Sequence, residues 1–160
     1  MADQNIANLS ESEEMYLVTA VQLAEAGMRE PISLTSLAQA LSIQPASANE
    51  MVRKLAEAGF LNYIPYKGVN LLTNGRRLAQ QVLRSRRLWE LFLVRHLELP
   101  PTEADALACR LEHITPKDVA ERLYLFLERP SVSSQGLPIP PGDGTGGIDF
   151  SRPLNQLMVN

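Results

Sequence analysis

Leu34-Thr35-Ser36-Leu37-Ala38-Gln39-Ala40-Leu41-Ser42-Ile43-Gln44-Pro45-Ala46-Ser47-Ala48-Asn49-Glu50-Met51-Val52-Arg53-Lys54-Leu55 decides the fold. It holds two helical patterns separated by a tight turn. Leu37, Ala38 and Leu41 recur at helical spacing and face inward. Ser42-Ile43-Gln44 forms the turn. Pro45 suits the first turn of the next helix, where a backbone N–H has no partner anyway. Ala48, Met51, Val52 and Leu55 make the second apolar stripe, which runs toward Gly59. A short helix, a tight turn and a further helix form a helix-turn-helix unit.

The chain on either side completes this unit. Upstream, Ser10 and Glu13 form a capping box, Leu17, Val21 and Ala24 continue a stripe, and Gly27 ends it. Downstream, residues 60–64 and 69–72 read as short strands around Tyr66-Lys67-Gly68, with Gly68 supplying a positive φ. Three helices and a hairpin predict a winged helix-turn-helix. Thr73 then reads as the cap of a long helix reaching His96 or Leu97. Pro100-Pro101 breaks the chain before a helix starting at Thr102-Glu103. Thr115-Pro116 opens a last helix with Val119, Leu123, Phe126 and Leu127 on its apolar face. The expected fold is mainly α: an N-terminal winged helix-turn-helix over 1–75 and a helical metal-binding and dimerisation domain over 76–130. A flexible Ser/Pro/Gly-rich tail follows over 131–160, because Pro140-Pro141-Gly142-Asp143-Gly144-Thr145-Gly146-Gly147 buries too little apolar surface to order itself.

The net charge of −3 hides an asymmetry. Residues 44–87 hold Arg53, Lys54, Lys67, Arg76, Arg77, Arg84, Arg86 and Arg87 against only Glu50 and Glu57, a local +6 between acidic flanks. That is the footprint of a nucleic-acid-binding module. A recognition helix fits the major groove of double-stranded DNA. The side opposite Val52 presents Ala46, Glu50, Arg53, Lys54 and Glu57, with Pro45 and Ser47 near the helix start. Arg53 and Lys54 can pair with phosphate or guanine, Glu50 can accept from cytosine, and the Ala46 methyl can meet a thymine methyl. Ser47 can donate to phosphate, and Lys67 at the wing tip can reach the backbone.

Cys109-Arg110-Leu111-Glu112-His113 sets a thiol, a carboxylate and an imidazole at i, i+3 and i+4. On a helix these share one face. The trio suits a divalent transition metal, with a fourth ligand missing. The same spacing also fits a helix with one buried Cys and an exposed Glu–His pair. The chain has one Cys, so it builds no internal disulfide, and a reducing cytoplasm is the natural setting. No apolar run is long enough to span a bilayer. No nucleophile–base constellation or Gly-rich phosphate loop marks an enzyme.

Glu14-Met15-Tyr16-Leu17, Leu61-Asn62-Tyr63-Ile64-Pro65-Tyr66-Lys67-Gly68-Val69 with Leu72-Thr73 and Gly75, Ala108-Cys109-Arg110-Leu111-Glu112-His113, and Gly136-Leu137-Pro138-Ile139-Pro140 together resemble the diphtheria-toxin-repressor family of metal-dependent transcriptional repressors. The resemblance spans roughly residues 9–140 and lacks the small C-terminal barrel of longer members. It implies that Met15 joins Cys109, Glu112 and His113 around the metal. It also places Arg86, Glu90 and Asp105 where many members hold a second metal. A guanidinium cannot ligate, so Arg86 is expected to pair with Glu90 at i, i+4 and leave one metal per chain. Soft Cys and Met favour Fe2+ over Mn2+, while Co2+, Ni2+ and Zn2+ also suit the set.

The expected function is a metal-responsive, sequence-specific DNA-binding repressor sensing ferrous iron. The alternative is a winged-helix regulator that has lost metal control or senses haem or an iron–sulfur centre. Trp89, Phe92, Leu93, Leu97 and Leu107 exceed what one small helical unit buries, which predicts a homodimer. Such a dimer reads an interrupted palindrome with half-sites about 10 bp apart, or a multiple of that.

Overall fold

The computed structural model describes residues 9–142. Helix α1 spans Glu11–Glu25. Its capping box forms as the sequence predicts: the Glu13 carboxylate accepts from the Ser10 N–H at 2.7 Å, and the Ser10 hydroxyl accepts from the Glu13 N–H. Two N–H groups that the helix leaves orphaned are thereby satisfied. The chain exits through Ala26 and Gly27, the latter at φ +98°. Helix α2 spans Leu34–Leu41, and its N-cap Ser33 accepts from the Ser36 N–H at 3.0 Å. Ser42, in the left-handed region, turns the chain into α3, Pro45–Glu57, with Pro45 in its first turn.

Strands β1, Leu61–Ile64, and β2, Gly68–Leu71, pair antiparallel with Leu61 opposite Leu71. Ile32 adds a third edge, exchanging hydrogen bonds with Val69 at 2.8 and 2.9 Å. Gly68 is needed twice over. Its φ is +131°, and a Cβ there would lie 2.0 Å from the Ile32 carbonyl oxygen. Glycine there lets the hairpin close onto the segment that leads into α2. Tyr66 (φ 64°) and Lys67 stand exposed at its tip.

Helix α4 spans Thr73–Leu97. Leu72, not Thr73, holds the N-cap position and offers no side-chain cap. Gly75 lets α4 press on β1's approach, because a Cβ would meet the Phe60 carbonyl oxygen at 2.0 Å. Helices α5 (Pro101–Leu111) and α6 (Lys117–Phe126) follow. The first half of α4 gives Ala79, Val82 and Leu83 to the core that also holds Leu17, Val18, Leu37, Val52, Leu55, Leu61 and Val69. Its second half packs Leu88 and Leu91 on Ala120, Leu123 and Leu127, and Leu93 on Ala104 and Ala108. A boundary at 75/76 thus divides the sequence but not the packing, since one helix is shared by both cores. On α6, Ala120 takes the inward place expected of Phe126, which is 60% exposed.

The expectation of an unpacked tail from residue 131 fails for residues 131–142. Ser133 N–H donates to the Leu137 carbonyl at 2.8 Å, and Ile139 N–H donates to Ser131 at 2.9 Å. Two buried guanidiniums of α4 hold the segment: Arg87 donates to the Pro138 carbonyl at 2.6 Å and Arg84 to the Pro140 carbonyl at 2.7 Å. Buried cations need acceptors, and these two backbone carbonyls supply them. The rest of the Pro/Gly run, from residue 143, lies outside the described residues. Among those described, no helix is long and apolar enough to cross a membrane.

Candidate metal centre and DNA-binding face

Cys109 lies in the last full turn of α5, and Glu112 is its C-cap, still helical at φ −57° and ψ −36°. His113 stands just past the helix end. From there its ring meets the start of α1. Its Nδ1 is 2.7 Å from Glu14 Oε2, and its Nε2 is 3.2 Å from Met15 Sδ. The same Nε2 is 3.2 Å from Glu112 Oε1. The imidazole is 3% exposed, so these contacts are shielded from water.

Glu112 is the anomaly of the site. Its side chain is fully buried, and neither carboxylate oxygen has a hydrogen-bond partner. Burial pushes its carboxyl up to about 8, with the Arg86 guanidinium opposing the rise. The Cys109 thiol lies close enough to lower it slightly, but a weak S–H donor does not satisfy a carboxylate. Burial likewise raises the half-buried Cys109 thiol, and Arg86 again opposes. Among the described residues no three His, Cys, Asp or Glu side chains already stand together as a metal-holding group. The gathered part is Met15, Glu112 and His113, with Cys109 beside it. Two sulfurs, one imidazole nitrogen and an unsatisfied carboxylate fit a divalent transition metal in donor chemistry.

Arg86 does not pair with Glu90. It turns toward α5, with Nη2 at 2.9 Å from Asp105 Oδ1 and Nη1 at 3.9 Å from Glu112 Oε1. Burial opposes its charge, but Asp105 and Glu112 more than offset that. Glu90 is buried on another side of α4, where it accepts from the Ser134 hydroxyl. Positions i and i+4 are neighbours on a helix, but here each finds a stronger long-range partner.

On α3, Pro45, Ala46, Ser47, Glu50 and Arg53 are exposed, as is Lys67 at the wing tip. Arg53 leans back over the Tyr63 ring, 5.7 Å from its centroid. Lys54 departs from the expected face. Its Nζ is 2.7 Å from Glu13 Oε1 on α1. That hydrogen bond and the Ser10 N–H hold the Glu13 carboxyl at about 2. Lys54 thus ties α3 to α1 while its side chain stays 68% exposed. The contact of Glu14 with His113 is one that spacing could not reveal, because the two lie 99 positions apart.

A winged helix packed on a helical unit, with sulfur, nitrogen and oxygen donors buried at their junction, defines a DNA-binding protein equipped for a metal. The family model for the iron dependent repressor N-terminal DNA-binding domain matches residues 8–69, and the one for the metal binding and dimerisation domain matches residues 73–141. The chain belongs to the iron-dependent repressor family. It is 36% identical over 121 residues to an HTH-type transcriptional regulator of Methanocaldococcus jannaschii, covering 76% of this chain and 96% of that one. It is 35% identical over 133 residues to the iron-dependent repressor IdeR of Mycobacterium leprae, covering 83% of this chain but 57% of that protein. It is also similar to a solved manganese-dependent transcriptional repressor in complex with manganese, at TM-score 0.73 and 31% identity, over 82% of this chain and 59% of that one. The chain thus spans under two-thirds of both the IdeR and the manganese-dependent repressor.

Proposed function

We propose that this protein is a homodimeric transcriptional repressor whose grip on double-stranded DNA depends on a divalent metal held by Met15, Cys109, Glu112 and His113. One observation carries the reading: a fully buried carboxylate without a donor sits beside His113, and His113 touches Met15 of the DNA-binding head. A bound dication supplies the positive charge that Glu112 lacks. Met15 and Glu14 then fasten α1 to the end of α5, which fixes the head against the dimerisation domain. Soft donors favour ferrous iron over manganese, and one metal binds per chain because Arg86 fills the space beside Asp105 and Glu112 with a fixed positive charge.

The partner copy covers the exposed end of α4 and α6. Leu97 is 54% exposed and Phe126 60% exposed there, with His96 ring-stacked on Phe92. Leu93, by contrast, is already buried within its own chain. Ser47 and Glu50 reach base edges while Arg53 and Lys67 meet phosphates of an interrupted palindrome.

Anaerobic titration with Fe2+ or Co2+, followed by DNA-binding anisotropy, tests the reading. Stimulated binding at a stoichiometry near one supports it. A stoichiometry near two would remove the single-metal model, and DNA binding indifferent to metal would leave a winged-helix regulator without metal control. Scattering that shows a monomer at micromolar concentration would count against the dimer.

A further inference from the structure

We propose that Glu14 is a positioning residue that fixes the tautomer of His113, so that Nε2 presents its lone pair to the ligand set. The proposal rests on the metal reading above, yet its first observation is independent of metal. His113 Nδ1 lies 2.7 Å from Glu14 Oε2. A carboxylate only accepts, so a bare ring nitrogen at that distance would set lone pair against lone pair. Nδ1 therefore carries the hydrogen and donates it to Glu14. In a neutral imidazole the other nitrogen is then unprotonated.

On the other side of the ring, Nε2 faces the start of α1 and Glu112. Its neighbours at 3.2 Å are Met15 Sδ and Glu112 Oε1. Both belong to residues that the metal reading names as ligands. Glu14 is partly shielded and its His113 partner almost wholly so, at 18% and 3% exposure. That shielding keeps water from competing for Nδ1–H. Glu14 touches only the far side of the imidazole and acts through it.

The test has two arms. In the first, the full chain is 15N-labelled and kept metal-free, and the His113 ring nitrogens are read by NMR at the pH above which their signals no longer change. The expected wild-type spectrum shows a protonated Nδ1 and a pyridine-like Nε2, and Glu14→Ala shifts the ring toward the opposite tautomer or a mixture. In the second, Co2+ affinity is measured anaerobically through its d–d absorption. Glu14→Ala should weaken Co2+ binding about 10- to 100-fold, the usual cost of losing such a partner. Glu14→Gln, whose amide oxygen can still accept Nδ1–H, should recover part of that loss. A Glu14→Ala variant with an unchanged tautomer and Co2+ affinity within about twofold of wild type would overturn the proposal. A wild-type chain that shows the expected tautomer but binds no Co2+ would overturn the metal reading and the ligand-presenting role together, while leaving the tautomer assignment standing. A purely structural Glu14 would alter melting temperature without moving either readout.

Discussion

The winged helix and the α5 junction bury their side chains by opposite rules. In the winged helix the fully buried groups are hydrocarbon: Leu17, Val18, Ile32, Leu37, Val52 and Val69 have no exposure. Where polarity intrudes, as at Glu13, two residues answer it at 2.7 Å. At the junction the buried groups are Glu112, His113 and much of Arg86, and the Glu112 oxygens go unanswered. A buried polar group left unsatisfied costs about 1–3 kcal/mol. The first region carries its polar groups satisfied, whereas the second leaves a carboxyl that the proposed metal would satisfy. Rigidity resides in the first region and responsiveness in the second.

The sharpest way to break that contrast is at His113. His113→Ala should abolish metal-stimulated DNA binding, a loss beyond the 10- to 100-fold that indirect partners cost, while leaving the melting temperature of the metal-free protein nearly unchanged. Anisotropy with and without Co2+, beside a thermal melt, measures both. Leu17→Ala should do the reverse. It should cost about 3 kcal/mol of stability through cavity formation, and the surviving folded fraction should keep its metal affinity in calorimetry.

Two lysines sharpen the contrast within the reading head. Lys67→Ala should weaken binding on specific and random DNA alike, and lower the slope of log affinity against log salt by about one. Lys54→Ala should leave that slope unchanged, because its ammonium is committed to Glu13. Equal slopes for both variants would show that the wing does not reach phosphate. Glu50→Ala and Ser47→Ala should change base preference more than overall affinity in a binding-site selection.

The smallest effect is acid sensitivity at Glu13. Its carboxyl is held at about 2, below the ordinary 4.5, first by Lys54 and then by the Ser10 N–H. A depressed carboxyl contributes stability that is present above 4.5 and lost as pH falls toward 2. The melting-temperature gap between wild type and Glu13→Gln should therefore be widest near neutrality and close on acidification. A gap that widens in acid would reverse the assignment.

The features legible in the sequence are those whose physics is local. The Ser10–Glu13 box, Pro45 opening α3 and Gly68 in the wing turn each act within a few residues, so residue type and spacing suffice. The trio of Cys109, Glu112 and His113 was legible for the same reason. What the sequence hid is long-range. Lys54 turns to Glu13, Arg86 to Asp105, and Glu14 to His113, each across 19 or more positions. Periodicity says that a face of α4 is buried but not against what, so it could not show one helix serving two cores. The Pro-rich segment after 130 looks unpackable by composition, because composition contains no record of Arg84 and Arg87 waiting on another helix.

Glu13, Glu14 and Met15 are consecutive, and successive residues on a helix point about 100° apart. One grips the recognition helix through Lys54, the next holds the imidazole, and the third offers it a sulfur. They work like adjacent teeth on one gear. A roll of α1 about its own axis would move all three together, so under the metal reading proposed above a pull on the sulfur tooth would be felt by α3. No hinge or flexible linker is required for that transmission; a single rigid turn of helix is the shaft.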